Sequence, residues 1–281
     1  STRKESSAAS DVYKRQDMPW DERTYLPKEQ TRQNADAVSY ENVSFAYPDA
    51  GEMAITDIDF SVPEHGTVGI IGGTGSGKST VVNLIPRFYD ASAGQVCFFG
   101  QDVRKYRRKE LRNQIGIVPQ KAVLFAGTVR ENMQWGKKDA TDEEIWEALK
   151  TAQAEAFIRA KEGGLDANIE QGGRNLSGGQ RQRLTIARAL VKKPRVLILD
   201  DSASALDYAT DAALRKAIRQ MEGAPTVFIV SQRTSSLMSA DRILVLDDGE
   251  ATGYGTHEEL LKNCQTYREI YNSQYGKKEE A

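Results

Sequence analysis

The sequence predicts an α/β fold: a parallel core sheet, an antiparallel β portion ahead of it, and a helical insertion. Three observations carry that prediction. The apolar runs Thr67 to Ile71, Val196 to Leu199 and Val227 to Val230 lack alternation, the pattern of central parallel strands buried on both faces. Val38 to Tyr47 and Ile55 to Val62 flank a Pro48-Asp49-Ala50-Gly51 turn. In the second run Ile58, Phe60 and Val62 alternate with Asp57, Asp59 and Ser61, which suits an antiparallel pair with one wet face. Between the first two buried runs, Thr141-Asp142-Glu143-Glu144 has the form of a capping box, and Ile145, Leu149, Ala152 and Ala156 extend an apolar stripe to Gly163-Gly164.

The remaining elements follow in order. Ser6 to Gln16 reads as the in-frame translation of a sequencing adapter, so residues 1–16 are expected to be non-native or disordered, with native sequence resuming near Asp17. Residues 17–36 are polar, carry Pro19 and Pro27, and read as a linker. Ile243 to Leu246 forms a last strand that meets the Asp248-Gly249 turn, and a helix from about His257 carries the C-terminus. Composition limits the alternatives. The 281 residues suffice for one large domain or two small ones. The longest pure apolar runs have about five residues, against the ~20 that a spanning helix needs. The net charge of −2 argues against nucleic-acid binding driven by charge. Cys97 and Cys264 are too few for a disulfide scaffold and fit a reducing compartment as packing residues, and His65 and His257 leave little room for a zinc site. A soluble, cytosolic α/β protein is the expectation.

Gly72-Gly73-Thr74-Gly75-Ser76-Gly77-Lys78-Ser79 matches G-x-x-x-x-G-K-[ST], with an apolar run before it and Thr80 to Ile85 after it. The glycines let backbone N–H groups curl around phosphates at a helix start, Lys78 reaches the β/γ-phosphates, and Ser79 suits Mg²⁺. Arg195 to Asp200 is a buried strand ending in a carboxylate suited to the same metal. Leu176-Ser177-Gly178-Gly179-Gln180 opens a helix over Arg181 to Lys192, with Ser177 as N-cap and two glycines exposing a second anion-ready terminus. Gln120 follows Ile115 to Pro119 at a strand exit, where its amide could reach the metal or its water.

These four motifs, with Ser204-Ala205-Leu206-Asp207 as a fifth after the strand, resemble the nucleotide-binding domain of ABC transporters from about Val38 to the C-terminus. Phe125 to Asn132 and Thr256 to Leu261 resemble the exporter branch. The resemblance implies a P-loop NTPase (RecA-like) core with an antiparallel β subdomain and a helical insertion subdomain near 121–192, all within a nucleotide-binding domain over 37–281. It implies ATP and Mg²⁺ as ligands, with Tyr47 stacking on adenine, Gly72 to Thr80 around the phosphates, and Ser79, Gln120 and Asp200 about the metal. Two such domains meet head to tail, so that Ser177, Gly178, Gly179 and Gln180 of one complete the site of the other, with Asp207 at the seam. Glu170 to Gly173 would face a membrane domain, expected in the same native chain ahead of the 17–36 linker, at the cytoplasmic face of the plasma membrane. No nucleic-acid partner is implied.

Two positions depart from the family. Asp201 stands where the consensus has the Glu that polarises the attacking water, and Gln232 stands where it has a switch His. A carboxylate one methylene shorter sits back from the water, and Gln232 donates a hydrogen bond but carries no charge. Together they predict a site that binds ATP and hydrolyses it slowly, opposite a different subunit with Glu, His and an altered LSGGQ. A homodimeric exporter that tolerates Asp201, and a soluble ABC-type ATPase with no membrane partner, stay open as alternatives. Among weaker signals, Arg104 to Lys109 reads as a solvated helix face, His65 as part of a turn, and Trp135 and Trp146 as filling of the helical subdomain.

Overall fold

The computed structural model describes residues 35–48, 50–202 and 205–276, so the expected non-native segment 1–16, linker residues 17–34, Asp49 and Ser204 lie outside the described residues. A first sheet in the order β2-β1-β4-β5 is antiparallel: β1 Val38–Phe45, β2 Ile55–Val62, β4 Ala93–Phe98 and β5 Gln101–Asp102. A six-stranded sheet follows the order β12-β11-β3-β10-β9-β6. Its strands are β3 Thr67–Gly72, β6 Ile115–Val118, β9 Val196–Asp200, β10 Thr226–Val230, β11 Arg242–Asp247 and β12 Glu250–Gly255. All its pairings are parallel except β11–β12, a hairpin closed by Asp248 and Gly249 at φ 44° and 81°.

The absence of alternation in β3, β9 and β10 has a direct physical source. Val68 and Ile70, Val196 and Ile198, and Phe228 and Val230 pack into a core shared with the antiparallel sheet and with helix α1, Lys78–Leu84. Ile71, Leu197, Leu199, Val227 and Ile229 point into a second core on the other face, formed with the helices between β6 and β9. Both faces are dry, so both parities are apolar. The antiparallel sheet is tied to α1 by a buried hydrogen bond from Tyr40 Oη to the Val81 carbonyl at 2.5 Å, and to the six-stranded sheet by Tyr254 Oη of β12, which donates to the Ser61 carbonyl of β2 at 2.5 Å.

Helix α2, Arg108–Asn113, precedes β6. Between β6 and β9 run the short ribbon β7 Gly127–Thr128 with β8 Asn168–Ile169, and four helices: α3 Val129–Gln134, α4 Asp142–Thr151, α5 Glu155–Arg159 and α6 Gly178–Leu190. Helix α7, Tyr208–Arg219, joins β9 to β10, and α8 His257–Asn263 and α9 Gln265–Tyr275 end the described chain.

Several expectations change in detail. The capping box at Thr141 and Glu144 forms, but the apolar stripe does not run on to Ala156. Helix α4 stops at Ala152, Gln153 turns the chain at φ 59°, and the reset phase buries Ala154 and Ile158 while Ala156 is exposed. Trp135 is not a filling residue: it is 70% exposed and lies against Phe125 at 4.9 Å between ring centroids. Trp146 does pack on the core, beneath the Arg159 guanidinium at 4.0 Å. The basic run is no continuous helix face, because Arg104 folds back on the buried Asp102 carboxylate and α2 begins only at Arg108. The C-terminal helix is two helices, broken at Cys264 by its extended backbone at ψ 111°. Cys97 and Cys264 are buried free thiols, and His65 sits in a turn at φ 65°.

Replacing Tyr40 by Phe removes the buried bond to Val81 without changing the ring's bulk. Urea unfolding is expected to show a loss of about 1 kcal/mol, and an unchanged midpoint would mean that this bond does not tie the two layers.

Candidate functional site

Parallel register decides where the chemistry gathers. Val230 of β10 lies beside Ile70 of β3 on one flank and Asp200 of β9 on the other, while Val118 of β6 lies beside Leu199. The loops leaving β3, β9, β10 and β6 therefore exit at one edge, the usual crevice of an open parallel sheet. Those four loops carry Gly72 to Lys78, Asp200 and Asp201, Gln232, and Gln120.

The glycine loop bends back on itself before α1. Gly77 is the N-cap at φ 92°, and a Cβ there would lie 2.5 Å from Ile55 Cγ2 and 2.9 Å from the Ala54 carbonyl. A Cβ on Gly72 would lie 2.2 Å from the Leu246 carbonyl and 2.4 Å from Ser76 Oγ. Lys78 closes the loop: its Nζ donates to the Gly72 and Gly73 carbonyls at 3.0 and 2.5 Å and to Ser76 Oγ at 3.3 Å. Burial holds the Lys78 pKa below the ordinary lysine value, with Asp200 and Asp201 opposing. On the next turn, Thr80 Oγ1 lies 3.0 Å from Tyr47 Oη, and the Tyr47 ring meets Phe45 and Tyr89 edge-on at 4.9 and 5.2 Å.

Across the edge, Ser79 Oγ donates to both Asp200 oxygens at 3.3 and 3.5 Å. Burial raises the Asp200 pKa; the Ser79 bond and Lys78 oppose it and the Asp201 charge adds to it. A hydroxyl and a carboxylate side by side are an all-oxygen donor set suited to a hard cation that keeps waters and phosphate ligands, which fits Mg²⁺. No cluster of three or more His, Cys, Asp or Glu exists among the described residues; a single carboxylate beside a hydroxyl is the arrangement in which the substrate's phosphates supply the rest. Gln120 does not reach Asp200. Its Nε2 donates to Asp201 Oδ2 at 3.1 Å, and Asp201 itself sits at φ 45°, a left-handed conformation uncommon outside glycine. The Asp201 amide donates to the Val230 carbonyl at 2.9 Å.

A second group of the expected residues gathers at two helix starts. Helix α6 begins at Gly178 rather than Arg181, so both glycines of LSGGQ are in its first turn. Ser177 Oγ accepts from the Gln180 amide at 3.2 Å, and Gln180 Oε1 accepts from the Ser177 amide at 3.0 Å, a complete capping box. Gly179 packs close to the Ala205 carbonyl, and Arg183 donates to the Gln153 carbonyl at 2.6 Å. Asp207 is the N-cap of α7: its carboxylate accepts from the Thr210 amide and hydroxyl at 2.9 and 2.7 Å, which hold its pKa below the ordinary range. Gln232 is exposed at the exit of β10.

Two participants escape sequence reasoning. Tyr89 joins the Tyr47 aromatic group from a loop 42 positions on, with nothing in its neighbourhood to mark it. Gln274, near the end of α9, hydrogen-bonds the loop that carries Gln232. No local pattern announces either contact, since both are made by chain folding back from a distance.

Comparison with known proteins is consistent with this geometry. A sequence profile described as "ABC transporter" matches residues 55–204. The chain is 45% identical over 240 residues to "Uncharacterized ABC transporter ATP-binding protein YfiB" of Bacillus subtilis (strain 168), covering 85% of this chain and 42% of that one. It is 41% identical over 237 residues to "Putative multidrug export ATP-binding/permease protein YgaD" of the same organism, covering 84% and 41%. A solved structure of a bacterial Atm1-family ABC exporter with ATP bound matches with a TM-score of 0.80 at 35% identity, over 85% of this chain and 42% of that one. The chain thus spans less than half the length of the relatives it matches.

The glycine contacts separate two neighbouring substitutions. Gly72→Ala must displace the Leu246 carbonyl and is expected to cost about 1–3 kcal/mol and to weaken ATP binding at least tenfold. Gly73→Ala, whose Cβ meets nothing within 4 Å, is expected to keep the parent's unfolding midpoint. Urea melts and ATP titration check both; equal effects would mean that the loop's shape does not depend on the Gly72 contact.

Proposed function

The chain belongs to the ABC transporter ATP-binding family, and on that premise we propose that it is the ATP-binding part of an exporter whose own phosphate-loop site turns ATP over slowly. One juxtaposition carries the reading: Lys78, Ser79 and Asp200 form an intact phosphate and metal corner, beside Asp201 and Gln232 in the positions where the family has Glu and His.

In this reading the glycine loop wraps the phosphates of ATP. Lys78 exchanges its bonds to the Gly72 and Gly73 carbonyls for the β/γ-phosphate oxygens, which also relieves the burial of its charge. Ser79 and Asp200 would hold Mg²⁺, with Gln120 alongside; the ion, when bound, neutralises phosphate charge. Tyr47 takes the adenine. What the site lacks is a well-placed base for water. Asp201 is one methylene short of the consensus Glu, and its carboxylate is engaged by Gln120 at 3.1 Å. A misplacement of ~1 Å costs on the order of 100-fold in rate, and Gln232 adds no charge at the γ-phosphate.

The intact capping box of LSGGQ supports a complementary role, in which Ser177 to Gln180 complete the ATP site of a partner domain and Asp207 lies at the seam. The partner on this reading is a different subunit with Glu, His and an altered LSGGQ. ATP binding closes the pair and drives a membrane domain. That domain is proposed for the same native chain, which accords with a relative named as an ATP-binding/permease protein of which this chain covers 41%. None of the helices among the described residues is long and apolar enough to cross a membrane. A flank of α3 suits the contact: Trp135 and Phe125 leave apolar surface exposed, and the Glu170–Gly173 turn adjoins it through the Gly172 amide bonded to the Leu124 carbonyl at 3.0 Å. The domain would then work at the cytoplasmic face of the plasma membrane.

The test is restoration. Asp201→Glu combined with Gln232→His is expected to raise the steady-state ATPase rate of the self-paired chain by about tenfold or more. An unchanged rate overturns the slow-site reading and favours a homodimeric exporter with two working sites.

A further inference from the structure

The start of the loop after β10 is held by a side chain of the last helix, while Arg215 and Arg219 of α7 bond the Ser236 and Ser239 carbonyls further along it. Gln274 Nε2 donates to the Gln232 carbonyl at 2.7 Å. Its Oε1 accepts from both the Thr234 amide at 2.9 Å and the Thr234 hydroxyl at 3.0 Å. The orientation of the carboxamide is dictated by its partners, because an amide N–H can only donate and a carbonyl can only accept. Thr234 is wholly buried, so its N–H needs an acceptor, and Gln274 supplies one across 40 residues of sequence. The two bonded positions, 232 and 234, flank Arg233 at the start of the loop.

The helix that delivers this clamp is itself anchored. Tyr267, fully buried in the first turn of α9, places its hydroxyl 2.8 Å from His257 Nδ1, and Ile270 packs against the core. Nearer the helix end, Tyr275 Oη lies 3.9 Å from Met238 Sδ. Base and tip of α9 thus touch different parts of the fold, with the carboxamide between them and the β10 exit.

We propose that Gln274 is a positioning residue for Gln232: by bridging the Gln232 carbonyl and Thr234 it sets where the Gln232 side chain stands at the γ-phosphate, so that docking of the C-terminal helix is required for this site to distinguish ATP from ADP. The inference rests on the reading that Gln232 faces the γ-phosphate. A role in stability alone accounts for the bond to buried Thr234, but not for any effect specific to the third phosphate.

Nucleotide selectivity separates these cases, because ADP lacks the group that Gln232 would contact and serves as an internal control. Equilibrium titrations of ATP and of ADP, each with excess Mg²⁺, are made on the whole chain, on Gln232→Ala, on Gln274→Ala and on the double variant. Both single variants are expected to lower the ATP-over-ADP affinity ratio by about tenfold, the worth of one charge-assisted hydrogen bond, with ADP affinity unchanged. The double variant is expected to lose no more than either alone. Gln274→Glu keeps the acceptor for Thr234 and loses the donor to Gln232; it serves if the alanine variant does not fold, and the same loss is expected. An unchanged ratio in Gln232→Ala overturns the γ-phosphate reading and this inference with it. A lowered ratio in Gln232→Ala with an unchanged ratio in the Gln274 variants, whether or not those variants weaken ATP and ADP equally, or losses that multiply in the double variant overturn the inference and leave that reading standing.

Discussion

The burial of the parallel strands of the six-stranded sheet on both faces is the constraint from which the rest of the molecule follows. Parallel strands require crossover connections, and here those crossovers and the antiparallel sheet cover both faces of β3, β9 and β10, while the edge strand β12 stays largely exposed. Side chains of both parities are then committed to packing, and polar chemistry is left only the strand ends. Shared direction brings β3, β6, β9 and β10 to one edge, so residues separated by up to 160 positions, Gly72 to Gln232, are carried there together.

At that edge the electrostatics are unbalanced in a useful way. Lys78 and Asp200 are both partly withdrawn from water, and burial pushes each toward its neutral form, the lysine down and the carboxyl up. The bonds from Lys78 to its own loop carbonyls and from Ser79 to Asp200 are local substitutes for stronger partners. A polyanion with a divalent cation satisfies both charges at once, which is why the corner suits nucleotide with metal better than either alone. The Asp201 charge acts on both groups, while its carboxylate accepts from Gln120 at the β6 exit and its backbone is left-handed.

Long-range tethers complete the site in ways that local structure does not supply. Tyr40 reaches α1 from the antiparallel sheet, and Gln274 reaches the β10 exit from the last helix. Each crosses from one layer to another, so the loops at the sheet edge are set by contacts behind them as much as by their own residues. Asp207, by contrast, acts locally: its carboxylate accepts from the Thr210 amide and hydroxyl and caps α7.

The central strands, the phosphate loop, the strand ending in Asp200, the capping box at Thr141 and the N-cap at Ser177 were legible in the amino-acid sequence, because each rests on interactions among residues within a few positions of one another. Strand and helix periods, a glycine at an N-cap and a side chain three residues from its backbone partner are all local quantities. Tertiary structure alone decided the break at Gln153 that turned the apolar stripe from Ala156 to Ile158, the exposure of Trp135, the hold of Gln120 on Asp201 and the grip of Gln274 on Gln232 and Thr234. Those features depend on which distant surface arrives opposite a residue. Sequence spacing carries no record of that, since any of several exposed amides or aromatics could have met the same partner until the sheet order and the packing of the last helix chose one.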